Sequence, residues 1–190
     1  IVRGDSRNLK VTTADDLRVA EIYLQEMQQR DDCMRIGQGF DAHRFCQGQY
    51  VILGGVQIAH EQGIEAHSDG DVLLPAICEA LLGAAGLGDI GSHFSDQEAA
   101  NKNRDSREFL RATKLLIAEH GYTVVNIDAT LILQKPRISA HKQAMQSNIA
   151  SDLQVDIKQV NVKATTTEKM GFTGREEGIA ATAVVLLQAI

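Results

Sequence analysis

Asp41 and His43 are the clearest candidates for metal ligands in this sequence. They stand two residues apart in R-I-G-Q-G-F-D-A-H-R-F, a segment that we predict to be a β-strand. Side chains two residues apart on a strand leave the same face, so a carboxylate oxygen and an imidazole nitrogen would lie side by side. Both are zinc ligands, and a third ligand from elsewhere would complete an open catalytic site. The pattern D-x-H is common, and its ordinary alternative is a strand-edge aspartate beside a hydrogen-bonded histidine.

A second polar cluster, A-H-S-D-G-D at residues 66–71, runs directly into an apolar pattern with helical spacing. Its aspartates are expected to cap the start of that helix, which leaves His67 and Ser68 to hold a phosphate oxygen. A capped helix start without any ligand is the alternative. Pro75 falls near the first helical turn, where a missing N–H costs little, but a proline supplies no ligand.

Two loops could bind other parts of a polar ligand. The glycine-rich segment 86–98 carries Asp89, Asp96 and Glu98, which suit sugar hydroxyls or hard cations, although most such loops are solvated turns. In L-Q-K-P-R-I-S, residues 133–139, backbone groups could contact a base edge while the cations face phosphate. An ordinary turn from strand to helix would look the same.

The most distinctive segment is V-K-A-T-T-T-E-K-M-G-F-T-G-R-E-E-G-I at residues 162–179. Its three hydroxyls at 165–167 are followed by Glu168 and Arg175, so phosphate donors stand beside a ligand for a divalent cation. Consecutive threonines after a strand are also plain β structure. We favour a functional loop, because Gly171 and Gly174 mark an irregular segment that concentrates polar groups.

The surrounding pattern predicts the elements that position these residues. Two strands precede the polar cluster, and Gly37, Gly39, Gly54 and Gly55 indicate bulges or close backbone approach rather than a phosphate loop. We expect helices over 71–87, 105–120 and 139–152, and further strands over 124–133, 159–165 and 179–187. The fold class is therefore α+β, a mixed β-sheet with helices packed on one face.

Residues 1–33 differ in character from the rest of the chain. A short β-like patch precedes a helical pattern that begins at A-D-D-L, with Thr13 or Asp15 as its cap, and Q-Q-R-D-D is expected to be a solvated linker. We interpret 1–33 as an extension and 34–190 as the main domain.

The overall composition excludes several kinds of partner. A net charge of −6 over 190 residues argues against nucleic acid, because a phosphate backbone requires a basic field. The scattered Cys33, Cys46 and Cys78 favour a reduced compartment, cytoplasmic or plastid-like. No apolar run reaches the roughly 20 residues of a membrane span, so we expect no membrane partner.

Taken together, the motifs G-x-G-F-D-x-H, A-H-S-D-G-D, G-D-I-G, F-S-D and N-V-K-A-T-T-T-E-K-x-G-F-T-G-R resemble the 2-C-methyl-D-erythritol 2,4-cyclodiphosphate synthases. The resemblance covers Met34 to Ile190 in the family's order. Residues 1–33, through G-D-S-R-N-L-K-V-T-T-A-D-D-L, resemble the C-terminal end of 2-C-methyl-D-erythritol 4-phosphate cytidylyltransferase. That enzyme acts earlier in the same non-mevalonate isoprenoid pathway. A bifunctional fusion, or its relic, is implied.

The resemblance implies a lyase that closes 4-diphosphocytidyl-2-C-methyl-D-erythritol 2-phosphate into the cyclic diphosphate and releases CMP. The implied assembly is a homotrimer with active sites between protomers. The implied metals are Zn²⁺ on Asp41 and His43, and Mg²⁺ or Mn²⁺ on Glu168. The implied catalytic residues are His67 and Thr166.

The implied substrate contacts fall into three groups. Asp41, His43, His67 and Ser68 would face the phosphates. The methylerythritol part would contact Asp89, Ile90, Gly91, Phe94, Asp96 and Glu98, with Phe172 and Arg175 nearby. The cytidine diphosphate pocket would be lined by Leu133, Gln134, Lys135, Pro136, Arg137, Ile138, Ser139, Thr165, Thr166, Thr167 and Glu168.

Three positions depart from the family pattern. Pro75 stands where the family has its third zinc-binding histidine, F-S-D-Q-E replaces the usual F-P-D-T-D, and Gln38 replaces a frequent histidine. Only the first change removes a metal ligand. The sequence thus supports an active cyclase with weakened zinc binding, an impaired homologue that still binds cytidine nucleotides, or a generic metal-dependent phosphohydrolase.

Overall fold

The computed structural model describes residues 10–31, 34–66, 68–94 and 104–190, with backbone alone for 25–31. The chain divides into two compact units, Ile1–Met34 and Arg35–Ile190. No helix in the described residues is long and apolar enough to cross a membrane.

The described part of the first unit is a single helix, α1, at Ala14–Asp31. Its start is capped reciprocally, since the Asp16 N–H donates to Thr13 Oγ1 and the Thr13 N–H donates to Asp16 Oδ2. Thr13 is therefore the cap, one of the two residues predicted. The predicted linker Q-Q-R-D-D is largely wrong, because the helix continues to Asp31. Residues 10–13 form no strand.

The second unit is built on a five-stranded mixed sheet. Its strands are β1 Met34–Gln47, β4 Gln62–Glu65, β5 Tyr122–Ile132, β6 Val160–Thr165 and β7 Gly178–Ala189. Their order across the sheet is β4-β1-β7-β5-β6. β5 pairs parallel to β6 and antiparallel to β7, while β1 pairs antiparallel to β4.

A separate hairpin joins β2 at Tyr50–Leu53 to β3 at Val56–Ala59. The two residues between them, Gly54 and Gly55, have φ of 58° and 69°, a left-handed turn that favours glycine. The predicted bulge or close approach at these two glycines is therefore a hairpin turn, and one predicted strand becomes two. The short β4 was not predicted.

Helices cover one face of the sheet. Leu131, Val162 and Val185 are buried beneath them, whereas Ile36, Phe40 and Val184 are exposed on the opposite face. The predicted α+β class with helices on one face is confirmed. The helix bounds are α2 Leu73–Ala85, α3 Ile90–His93, α4 Ser106–Glu119, α5 Lys142–Leu153 and α6 Gly171–Gly174.

Strand β1 lies against the backbone of α2 through two glycines. A β-carbon at Gly37 would stand 2.0 Å from the Ala80 carbonyl oxygen, and one at Gly39 would stand 2.0 Å from the Ala76 carbonyl oxygen. The prediction of close backbone approach at these positions is confirmed. The contact sets the register between the strand that carries Asp41 and the start of α2.

Candidate functional site

The sheet brings the candidate residues to one edge. The carboxyl ends of β5 and β6 meet where Ile132 pairs with Thr165, and β7 enters the same edge where Ala180 pairs with Ile132. β1 comes alongside β7, because the Phe45 N–H donates to the Glu177 carbonyl. The segments at this edge are therefore the part of β1 around Asp41 and His43, the turn at 133–139 and the loop after Thr165.

Asp41 and His43 form a close pair in the second half of β1. Asp41 Oδ2 is buried without a well-aligned hydrogen bond, and it lies 3.3 Å from His43 Nε2, which is close enough for an ion pair. Two ligands of one tetrahedral zinc stand about 3.3–3.5 Å apart, so this spacing fits a shared metal. Contact with the Asp41 carboxylate raises the pKa of His43 above its usual value, although burial opposes the shift.

Asp71 caps the neighbouring helix α2. Its Oδ1 accepts from the N–H groups of Leu73 at 2.8 Å and Leu74 at 3.2 Å, and its Oδ2 accepts from the Gly55 N–H at 2.7 Å. Complete burial raises the pKa of Asp71 to about 7 despite these bonds. The predicted capping role of the acidic cluster is confirmed for Asp71.

The remaining residues of this cluster have other partners. Ser68 Oγ accepts from the Gly70 N–H at 3.4 Å. Asp69 accepts from the Ser106 N–H at 3.1 Å and from the Ser106 hydroxyl at 2.5 Å. The loop that carries Ser68 is therefore tied to the start of α4.

Pro75 is the third residue of α2 and is half-buried. The N–H groups of a first helical turn have no intrahelical partner, so the proline removes no helix hydrogen bond. No group of three His, Cys, Asp or Glu side chains in the described ranges is placed to hold a metal. His60 is not available to the pair, because its ring stacks on Phe45 and its Nδ1 lies 3.0 Å from the Gln62 carbonyl oxygen. Within those ranges, therefore, no third ligand joins Asp41 and His43.

The short helix α3 and the residues on either side of it hold four of the predicted methylerythritol contacts, Asp89, Ile90, Gly91 and Phe94. Asp89 Oδ1 accepts from the Ser92 N–H at 2.8 Å and from the Ser92 hydroxyl at 2.6 Å, and these bonds lower the pKa of Asp89. The Ile90 N–H donates to Glu79 Oε1, and the Phe94 ring packs 5.2 Å from Phe109. Gly91 lies in the same turn and is exposed.

The turn after β5 and the end of β6 enclose an open cavity of about 370 Å³. Eight of the residues predicted for the cytidine diphosphate pocket line it, together with Lys142 and Ala164, which the sequence did not suggest. Lys142 is the first residue of α5 and lies three residues after Ser139. Its positive charge so close to the predicted pocket segment is the feature from which its place at the cavity could have been predicted. The predicted residues that line the cavity are Leu133, Gln134, Pro136, Arg137, Ile138, Ser139, Thr165 and Thr166.

Two predicted pocket residues are bonded elsewhere. The Lys135 ammonium lies 3.4 Å from Glu176 Oε2. The Thr167 hydroxyl donates to the Met170 carbonyl at 2.6 Å. Neither lines the cavity.

The loop after β6 places the proposed cation ligand beside the cavity. The Thr166 hydroxyl donates to Glu168 Oε1 at 2.7 Å, and Glu168 has a positive φ of 51°. Farther along, Phe172 is exposed in α6, and Arg175 Nε donates to Glu177 Oε1 at 2.7 Å. Phe172 and Arg175 thus lie on a different element from the α3 residues with which they were grouped.

Three predicted site residues lie outside the described residues: His67, Asp96 and Glu98.

Residues 34–188 match the model of the YgbB family, and the chain belongs to this family. The 2-C-methyl-D-erythritol 2,4-cyclodiphosphate synthase of Azotobacter vinelandii (strain DJ / ATCC BAA-1303) is 59% identical over 157 residues, which are 83% of this chain and 100% of that relative.

Two solved structures extend this comparison. The Plasmodium falciparum IspF in complex with CDP is 36% identical with a TM-score of 0.73, over 83% of this chain and 97% of that one. The bifunctional IspDF of Campylobacter jejuni is 46% identical with a TM-score of 0.80, over 83% of this chain. This chain spans 42% of the length of that bifunctional protein.

Proposed function

We propose that this protein converts 4-diphosphocytidyl-2-C-methyl-D-erythritol 2-phosphate to 2-C-methyl-D-erythritol 2,4-cyclodiphosphate and CMP. The observation that carries the proposal is the cavity of about 370 Å³ formed by the turn at 133–139 and the end of β6. These are the segments in which the sequence suggested a cytidine diphosphate pocket, and a related structure is a CDP complex.

The reaction needs positioning more than proton transfer. An oxygen of the substrate's 2-phosphate attacks the β-phosphorus, and the bond to the bridging oxygen breaks, so CMP leaves with that oxygen. The attacking phosphate is already an anion at neutral pH and needs no strong base. The residues must instead align attacking and leaving oxygens and neutralise charge. Arg137 and Lys142, both at the cavity, supply cations for this purpose.

Thr166 would act next to the leaving group. Thr166 lines the cavity, and its hydroxyl donates a hydrogen bond to Glu168, so the two side chains lie together. Glu168 would hold Mg²⁺ or Mn²⁺, because a carboxylate at a phosphate site is a typical ligand for such hard cations. Asp41 and His43 would hold Zn²⁺, whose charge polarises phosphoryl oxygens.

A homotrimer would complete the site. Within one chain three strand spacings separate β1 from β6, so His43 and Thr165 lie about 14 Å apart across the sheet. A second copy could supply the metal pair to this copy's cavity. Ile36 and Phe40, 73% and 54% exposed on the uncovered face, favour association of copies through that face. Light scattering coupled to size exclusion should give three times the chain mass, and a monomer would contradict this assembly.

Residues 1–33 would be the end of a cytidylyltransferase domain. The sequence resemblance and the bifunctional Campylobacter relative support this interpretation.

Phosphorus NMR of the substrate incubated with purified protein tests the function. Cyclic diphosphate and CMP are expected. A second candidate, an impaired homologue, is favoured by Pro75 alone, and CDP binding without turnover would establish it in place of the first. Linear hydrolysis products would contradict both and indicate a phosphohydrolase.

A further inference from the structure

Glu79 is the one charged residue of helix α2. The helix reads L-L-P-A-I-C-E-A-L-L-G-A-A, and most of its residues are buried. Glu79 itself is half-buried, so its carboxylate is partly withdrawn from water. A carboxylate in such surroundings is costly unless it accepts hydrogen bonds. Its place in an otherwise apolar helix therefore requires a hydrogen-bond donor nearby.

That donor belongs to the backbone of α3. The Ile90 N–H donates to Glu79 Oε1 at 3.0 Å. Ile90 is the first residue of α3, so its N–H has no partner within the helix. Asp89, the residue before it, satisfies the Ser92 N–H in the same turn. A helix of four residues is not stable alone, so the position of α3 depends on such attachments.

Glu79 also lies against the strand that carries Asp41. A β-carbon at Gly39 would stand 2.8 Å from the Glu79 β-carbon, so the stem of Glu79 packs on β1 while its carboxylate holds α3. Both segments carry predicted substrate contacts. Asp41 follows Gly39 by two residues on β1, and Asp89 and Gly91 lie at α3. One side chain therefore connects two parts of the candidate site.

We propose that Glu79 is a positioning residue for the turn that contacts the hydroxyl groups of the substrate. It holds α3, where Asp89 offers a carboxylate and Gly91 an exposed stretch of backbone. The role of Glu79 is indirect, because its Oε1 accepts from Ile90 and it acts through α3. This inference rests on the proposed function for the identity of the substrate. A shift of about 1 Å in a substrate contact can lower the rate by about 100-fold.

Two variants of residue 79 separate the hydrogen bond from the charge. Glu79→Gln keeps an acceptor oxygen without the charge, and Glu79→Leu keeps a similar volume without the acceptor. Glu119→Leu is the control, because Glu119 is exposed at the end of α4. Three quantities are measured: hydrogen exchange of the Ile90 amide by NMR, the midpoint of urea unfolding, and kcat and KM from CMP release.

Glu79→Leu should speed exchange of the Ile90 amide by about tenfold, because the N–H loses its acceptor. It should lower kcat/KM by about 100-fold, while the urea midpoint changes little, because α3 is a single turn outside the sheet. Glu79→Gln should retain the protection of the Ile90 amide and most of the activity. Glu119→Leu should match the wild type in all three measurements.

Three results would overturn the inference. Wild-type exchange and activity in Glu79→Leu would show that α3 needs no such attachment. Equal loss of activity in Glu79→Gln and Glu79→Leu, with the Ile90 amide still protected, would show that the charge acts directly. A urea midpoint that falls in parallel with activity would assign Glu79 to overall stability. Failure of the proposed function looks different: the wild type would release no CMP, while exchange at Ile90 would still distinguish Glu79→Leu from Glu79→Gln.

Discussion

Replacement of Gly39 by alanine tests the contact that sets Asp41 against α2. The new β-carbon would stand 2.0 Å from the Ala76 carbonyl oxygen and 2.7 Å from the Ala80 nitrogen. Ordinary contact begins at 3.4 Å, so strand and helix must separate by about 1.4 Å along the shorter contact. Both opposing atoms belong to the backbone and cannot rotate away.

Overpacking of this kind typically costs about 1–3 kcal/mol, and the backbone contacts place Gly39→Ala at about 3 kcal/mol. A shift of about 1 Å at Asp41 should also lower kcat/KM by about 100-fold. Urea unfolding followed by circular dichroism gives the free energy, and CMP release gives the rate.

Gly83→Ala is the matched control on the same helix, because its β-carbon would meet no atom within 4 Å. It should leave stability unchanged or raise it by up to about 1 kcal/mol. Equal stability and activity of Gly39→Ala and Gly83→Ala would refute the proposed register between β1 and α2.

Three further predictions concern buried charge and the reaction. Burial raises the pKa of Asp71 from 3.8 to about 7, so its contribution to stability is present at low pH and lost as pH rises from about 4 to about 7. The free energy of unfolding of the wild type, measured relative to Asp71→Asn by urea titration, should fall by about 4 kcal/mol across that range. Asp152 is buried and ion-paired with Arg107 and a second arginine, so Asp152→Asn should cost about 3 kcal/mol by the same assay. Thr166→Ala should lower kcat by about 100-fold, while Thr166→Ser retains most activity.

Each of these predictions has a contradicting outcome. A constant difference between wild type and Asp71→Asn from pH 4 to 7 would show that the carboxyl does not titrate in that window. Asp128→Asn is the control, because it removes an exposed ion pair with Lys163 and should lower the free energy of unfolding by at most about 1 kcal/mol. If Asp152→Asn lowered the free energy of unfolding by no more than this, the buried ion pair would not contribute as we expect. An unchanged kcat in Thr166→Ala would remove Thr166 from the reaction.

The sequence predicted the ends of α2 and α4 to within two residues because the caps of these helices are local. Asp105 accepts from the Arg107 N–H at the start of α4, and Gly121 ends it with a φ of 79°. The left-handed Gly86 ends α2 in the same way. Such capping signals depend only on residues that are close in sequence, so they can be recognised in a single sequence.

The missed features depend on contacts distant in sequence. β4 is four residues long and is defined by its pairing with the end of β1. Lys142 reaches the cavity only because α5 returns beside β6. The Gly54–Gly55 hairpin is different, because two glycines between apolar runs are a local turn signal that we interpreted as a bulge or a close backbone approach.

For the site, eight of the eleven residues that the sequence grouped around one pocket line one cavity. The sequence could not show how far that cavity lies from Asp41 and His43. The strand order places β7 and β5 between them, and strand order is a tertiary property. That separation within one chain is the reason that we propose a second copy at the site.

Reaction in oxygen-18 water, with mass spectrometry of both products, tests the cyclisation most directly. Attack by the substrate's own phosphate uses no water, so both the cyclic diphosphate and the CMP should carry no label. One labelled oxygen in either CMP or the methylerythritol product would show that water is the nucleophile and would contradict the account.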